Sequence, residues 1–296
     1  MLQFNLKMEL RDLLESIKNK NRALLHFNVA TYEQFKAGIE ATKETKIPLI
    51  IGVSEGERNY LGINYIEDLI YEAKEKGINV FLNADHCKSI KSAKEAIDHK
   101  FDSVLFDGSE LDFKQNILRT KEVVNYRNKI SKTTLIEGEI GYLVGHSDVE
   151  KIAELKEEYF TDPEVAEEFV NKTKIDLLAI SVGNIHGIPD KIKFKGKIYK
   201  KPKLDFQRIK LIKEKVKIPL VLHGGSGLGR KDFILAIESG ISIIHINTDF
   251  RILWKKELLK NLKQKTNVPY KILDKVVEKL KRKIIYYQKL FWNNKY

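Results

Sequence analysis

Three of the seven histidines stand at or just beyond short apolar runs. His86 follows NVFLNAD (79–85), His186 follows LLAISVGN (177–184), and His223 lies within PLVLHGGS (219–226). Carboxylates stand near them: Asp85, Asp107 in SVLFDGS (103–109), and Glu137 and Glu139 in TTLIEGEIG (133–141). Imidazole is a common zinc ligand, and three protein ligands with an open fourth position is the catalytic arrangement. A single loop histidine is ordinarily only a hydrogen-bonding group. Three on one rim, beside carboxylates, is the pattern of a metal centre. A second chemistry is suggested by the turn His223-Gly224-Gly225-Ser226-Gly227. Glycines let backbone N–H groups approach an anion closely, and Ser226 and Thr248 add hydroxyl donors. A plain tight turn is the alternative.

These groups need elements that bring them together. Eight runs are nearly continuous in apolar residues, the mark of strands buried on both faces. Besides the five above they are ALLHFNV (23–29), PLIIGVS (48–54) and ISIIHINTD (241–249), with amphipathic segments between. The spacing predicts a (β/α)8 TIM barrel with a C-terminal helical extension, in which all strand ends converge on one face. Loops after the seventh and eighth strands are the usual phosphate site of such barrels. An open doubly wound sheet is the other candidate, and it lacks a G-x-G-x-x-G after the first strand. Residues 1–250 are read as the barrel and 251–296 as basic helices packed on it or on a partner subunit, within one domain. Residues 142–160 and 190–202 read as long loops on the catalytic face. Thr161-Asp162-Pro163 reads as an N-cap followed by proline in the first helical turn.

Composition narrows the class. The formal charge of +12 is uneven: residues 251–296 carry 14 Lys/Arg and 3 Asp/Glu, and every group proposed for chemistry lies before them. A basic stripe can bind nucleic acid. The apolar spacing of 268–292 instead favours a packed helix with a solvated outer face. Nucleic acid is therefore not an expected partner. Cys87 is the single cysteine, which excludes an intramolecular disulfide framework and a Cys-rich zinc ribbon. Its surroundings give it no role beyond a small buried residue. No run approaches the roughly 18 apolar residues of a membrane span, and the charged N-terminus lacks a signal peptide's apolar region. A cytoplasmic protein is expected.

The ordered segments HFNV (26–29), VSEG (53–56), ADH (84–86), DGS (107–109), EGEIG (137–141), NIHG (184–187), PKLDF (202–206) and PLVLHGGSG (219–227) carry a resemblance. The chain resembles the class II, metal-dependent fructose-bisphosphate and tagatose-bisphosphate aldolases over residues from about 5 to 285. The resemblance implies Zn2+ held by His86, His186 and His223, and Asp85 as the acid/base at the aldehyde-side oxygen. Asp107 and Glu139 match positions of a second or alternative metal site, for another divalent or a monovalent cation. Gly187, Gly224, Gly225 and Ser226, with His245, Asn247 and Thr248, match the site of the ketone-side phosphate. Asn28 and Ser54 match polar positions of the active-site floor. It further implies a phosphorylated ketose as substrate and a homodimer or larger homo-oligomer. The chemistry suits these residues, because breaking the carbon–carbon bond leaves an enediolate whose charge a Lewis acid can absorb. A Schiff-base aldolase needs a lysine inside the barrel, and none of the eight runs contains one.

Two positions depart from the family's pattern. Where the loop after the fifth strand commonly reads GGEED, this chain reads Val144-Gly145-His146-Ser147-Asp148, so Ser147 replaces a glutamate that handles a proton on the dihydroxyacetone carbon. Asp148, His146 or Glu150 could substitute. Where the eighth strand commonly ends NIDTD, here it reads His245-Ile246-Asn247-Thr248-Asp249. The first departure opens the alternative of a sugar-phosphate-binding barrel without catalysis. The second opens that of a tagatose-bisphosphate or other ketose-phosphate substrate.

Overall fold

The computed structural model describes residues 8–143, 152–199 and 201–293. The chain opens with α1 (Leu10–Ile17), then β1 (Leu24–Asn28), α2 (Tyr32–Thr45), β2 (Leu49–Ser54), α3 (Glu55–Leu61), α4 (Ile63–Glu75) and β3 (Val80–Cys87). It continues through α5 (Ile90–Asp98), β4 (Ser103–Phe106), α6 (Phe113–Ile130), β5 (Leu135–Ile140), β6 (Ile152–Leu155), α7 (Pro163–Thr173) and β7 (Leu177–Ile180). After these come β8 (Lys191–Phe194), β9 (Lys197–Tyr199), α8 (Phe206–Val216), β10 (Leu220–Leu222), α9 (Arg230–Glu238), β11 (Ile241–His245), α10 (Thr248–Asn261) and α11 (Pro269–Asn293).

Eight strands close a parallel barrel in the order β1-β11-β10-β7-β5-β4-β3-β2. Side chains alternate across a strand with period two, so every second residue faces the interior. Read upward, those interior residues change from apolar to polar. β1 gives Leu24, His26 and Asn28; β3 gives Phe81, Asn83 and Asp85; β5 gives Leu135, Glu137 and Glu139. β10 passes from Val221 to the following His223, and β11 from Ile243 to His245. The apolar layer is one cluster with α1, whose Leu10, Leu13, Leu14 and Ile17 recur at helical spacing and are buried against Leu24, Ile50, Phe81, Leu135, Leu177, Val221 and Ile243. Each such side chain contributes about 1.5–3 kcal/mol. The helix thus seals the base of the barrel, and the polar layers lie toward the opposite mouth.

The long segments after β5 and β7 are not plain loops. β6 pairs in parallel with β8, and β8 pairs antiparallel with β9. Ala153, Leu155, Phe160, Ile185 and Ile192 form a small core beneath this sheet. The turn between β8 and β9 is Lys195-Gly196, both at positive φ (48° and 73°), as a two-residue type I′ hairpin requires. Residues 146–148 and 150, where the substitutes for the loop glutamate fall, lie outside the described residues. The basic tail folds as α10 and α11. α11 buries Val276, Val277, Leu280, Ile284, Leu290 and Phe291. The Gln288 amide donates to the Ile47 carbonyl at 2.7 Å, and Lys281 pairs with Glu44 at 2.8 Å. These contacts lay α11 along α2.

Candidate active site

Of the described residues that the resemblance assigns to the site, all except Gly225 line one cavity of about 320 Å³ at the polar end of the barrel. The Gly225 N–H donates to the His245 carbonyl at 3.0 Å, so it is not aimed at a ligand. His86, His186 and His223 surround a common point, with a ring nitrogen of each within 4.8 Å of the others. Their ring centroids are 5.4, 5.0 and 6.2 Å apart and their planes cross at 67–78°. Local structure aims each one. The β3–β4 pairing slips between Ala84 and Cys87, and His86 adopts a left-handed φ of 47°. A bulge and strained backbone of this kind re-aim a side chain and are characteristic of functional sites. The Asn184 amide donates to the Ile180 and His223 carbonyls at 3.1 and 3.0 Å, tying the His186 loop to the His223 turn. Gly224 sits at φ 63°, and a Cβ there would lie 2.1 Å from the Ile185 carbonyl oxygen, so only glycine fits.

Outer carboxylates engage two of the three histidines. His86 Nδ1 lies 2.7 Å from Asp107 Oδ2, and His223 Nε2 lies 2.9 Å from Glu137 Oε1. This leaves Nε2 of His86 and Nδ1 of His223 for a ligand, the carboxylate–histidine arrangement typical of metal sites. Glu139 Oε2, 3.8 Å from His86 Nδ1, is buried without a hydrogen-bond partner. His86, Asp107 and Glu139 form a second potential donor set.

Electrostatics fit a cation. Burial disfavours charge on His86, yet Asp85, Asp107 and Glu139 outweigh it and push its pKa up to about 10. Burial and the neighbouring His86 charge lower His186 to about 3 and His223 to about 4, the neutral state a ligand needs. Burial and nearby carboxylates, chiefly Asp85 and Asp107 respectively, raise Glu137 and Glu139 to about 8. Asp85 is held well below the usual carboxylate range: burial opposes this, but His86, His26, His223 and the Asn28 amide prevail. The acid-rich pocket therefore takes up positive charge at His86 and keeps the other two imidazoles neutral.

Asp85 is anchored from one side. Asn28 Nδ2 donates to Asp85 Oδ2 and to Glu57 Oε2, both at 2.9 Å, whereas Asp85 Oδ1 has no partner. Glu57 also accepts from the Ser54 N–H at 2.8 Å, in a capping box that starts α3, and from Arg251 at 3.0 Å. Sequence reading missed Glu57, His26, Asn83, Lys88 and Arg251. The polar residue two positions before each strand end was a usable signal for His26 and Asn83. Arg251 lines the cavity from α10, so the basic tail does contribute to the site. The phosphate-type turn gathers Gly187, Gly224, Ser226, Asn247 and Thr248 at the N-terminus of α10, where Ser226 Oγ accepts from the Asp249 N–H at 3.2 Å and keeps its proton for another acceptor.

A closed parallel barrel carries at its mouth three clustered imidazoles that could hold a metal ion, an anchored aspartate and a Gly-rich turn. The model of the family described as "Fructose-bisphosphate aldolase class-II" matches residues 8–295, and the chain belongs to this family of lyases. It is 34% identical over 250 residues to a fructose-bisphosphate aldolase of Staphylococcus aureus, covering 83% of this chain and 82% of that one. A fructose-bisphosphate aldolase of Geobacillus stearothermophilus is 32% identical over 285 residues, covering 94% of each. Among solved structures, the YdjI aldolase of Escherichia coli K12 superimposes with a TM-score of 0.79 at 28% identity, covering 96% of both chains. The fructose-bisphosphate aldolase of Campylobacter jejuni shares the fold, with a TM-score of 0.76 at 20% identity over 96% of this chain and 95% of that one.

Proposed function

We propose that the protein is a zinc-dependent ketose-bisphosphate aldolase that reversibly cleaves fructose 1,6-bisphosphate to dihydroxyacetone phosphate and glyceraldehyde 3-phosphate. The observation that carries this is the placement of Asp85 and three convergent imidazoles beside the Gly224–Ser226–Thr248 anion turn. His86, His186 and His223 would hold the metal. When bound, zinc supplies a Lewis acid that stabilises negative charge developing on the ketone side. His86, Asp107 and Glu139 are the candidate set for a further cation.

The remaining steps belong to the chain's own residues. The backbone N–H groups and hydroxyls at the α10 N-terminus hold the ketone-side phosphate. Asp85, ionised and with Oδ1 unengaged, takes the proton from the hydroxyl on C4. The C3–C4 bond breaks, its electron pair moves toward the C2 carbonyl, and the C4 oxygen becomes the aldehyde carbonyl. Protonation of C3 then completes dihydroxyacetone phosphate, a task the family's loop glutamate performs and which Asp148, His146 or Glu150 would take here. The substitutions at His245 and Asn247 favour, as a second reading, tagatose bisphosphate or another ketose phosphate. Ser147 favours a third, a sugar-phosphate-binding barrel without turnover.

Metal-loaded protein is to be assayed with the two epimeric bisphosphates, with and without chelator. Chelator-sensitive cleavage of the fructose epimer supports the reading; metal-loaded protein that cleaves neither epimer, or cleavage untouched by chelator, overturns it. Assembly as a homodimer or larger is part of the proposal, supported by α10, which exposes Ile252 and Leu259 while burying Glu257 and Asn261. A monomeric mass in solution light scattering would remove that part.

A further inference from the structure

At the cavity floor, one in its lining and one behind it, lies a pair of histidines that the proposed reaction does not use. His26 and His245 occupy the same register on the adjacent strands β1 and β11. Their rings stack at 3.5 Å, only 6° from parallel. The other face of His245 meets His223 at 3.9 Å. His245 is therefore held between two rings and cannot swing away.

His26 is itself locked. Asn83 Nδ2 donates to Ser103 Oγ at 2.8 Å, which turns Asn83 Oδ1 toward His26 Nε2, 3.0 Å away. A carbonyl oxygen only accepts, so His26 carries its proton on Nε2. The ring also needs Gly52 beneath it, since a Cβ there would fall 2.2 Å from the His26 ring. His26 lines no part of the cavity, whereas His245 does.

His245 Nδ1 lies 3.7 Å from Asp85 Oδ1, the carboxylate oxygen without a partner. That separation is too long for a hydrogen bond, but one oxygen can sit within about 2.8 Å of both atoms. A hydroxyl fits between them, since it donates once and accepts twice. It would donate to Asp85 Oδ1 and accept from His245 Nδ1–H.

We propose that His245 reads the configuration of the C4 hydroxyl together with Asp85, and that His26 positions His245 for this by stacking. The inference rests on the aldolase reading, because that reading places the C4 hydroxyl at Asp85. Two contacts fix two directions at one oxygen. The C4 epimer swings its hydroxyl to the other side of the carbon and keeps only one of them. A site built to hydrogen-bond a hydroxyl discriminates strongly against a substrate that leaves its polar groups unpaired.

The experiment compares wild type with His245→Asn, His26→Ala and the double variant. Three quantities are measured: kcat/KM for fructose and tagatose bisphosphates, dihydroxyacetone phosphate affinity by calorimetry, and thermal stability. The expected result is that His245→Asn lowers the epimer preference about tenfold or more, a change beyond any loss of dihydroxyacetone phosphate affinity, since that product is common to both epimers. His26→Ala lowers the preference in the same direction. The double variant matches His245→Asn alone, because a residue acting only through another adds nothing once that one is gone. An unchanged preference in His245→Asn overturns the inference. So does simple multiplication of the two single effects. Wild type that cleaves neither epimer overturns the aldolase reading, and this inference with it, before any variant is compared.

Discussion

Replacing Glu57 separates its structural role from its effect on Asp85. In Glu57→Ala the Ser54 N–H and one Asn28 N–H lose their acceptor, at 2.8 and 2.9 Å in the native protein. Hydrogen bonds to a charged partner contribute about 1.5–3 kcal/mol each, so the two together come to roughly 3–6 kcal/mol. The third partner, Arg251, is 39% exposed and rehydrates, so it adds little. For a chain of this size the loss corresponds to a melting temperature lower by about 5–10 °C. Catalysis suffers for a different reason. The Asn28 amide is held with its N–H groups toward both carboxylates; without Glu57 it can turn its oxygen toward Asp85. Losing about 1.4–2.8 kcal/mol of alignment lowers kcat roughly 10- to 100-fold. Glu57→Gln keeps an oxygen for Asn28 and Ser54 and loses only the Arg251 pair, so its kcat stays within about threefold of wild type. Differential scanning fluorimetry and a coupled cleavage assay measure both. A Glu57→Ala protein that melts early yet turns over at the wild-type rate would refute the argument, as would a Glu57→Gln protein as slow as Glu57→Ala.

His186→Ala should abolish stoichiometric metal retention while leaving the fold intact, read by elemental analysis and circular dichroism; full metal content would remove His186 from the ligand set. Arg251→Ala should raise KM for a bisphosphate by about tenfold and change KM for the matching monophosphate by less than about twofold, in line with a rim cation meeting the far phosphate. Metal-free protein should lose stability as pH rises from about 6.5 to 8. His86, Glu137 and Glu139 have folded pKa values raised above their unfolded ones, so their contribution is full below the unfolded values and fades toward about 10 and about 8. Bound divalent metal should flatten that slope, and a melting temperature that climbs over this window in the metal-free protein would contradict it.

The eight strands and the mouth residues were legible because both rest on local patterns: continuous apolar runs, and polar groups at their ends. His26 and Asn83 needed the same period-two reading carried one step deeper into the barrel. The hairpin of β8 and β9 was also written in the alternation of KIKF and KIY around Lys195-Gly196, but reading it as a catalytic-face loop hid it. Glu57 and Arg251 were not legible. Their contact joins residues 194 apart, and neither sits at a strand end. The same holds for the pairing of β6 with β8, which depends on where two separate excursions from the barrel meet.

The plug made by α1 has a kinetic consequence. A barrel filled at its base offers traffic one doorway, so on the proposed aldolase reading the two fragments of a cleaved ketose must depart in turn. The fragment moored by its phosphate at the start of α10 is blocked by the one nearer the opening. Release is then sequential, aldehyde first, and in the synthetic direction the moored fragment must arrive first. An architecture open at both ends would impose no such queue.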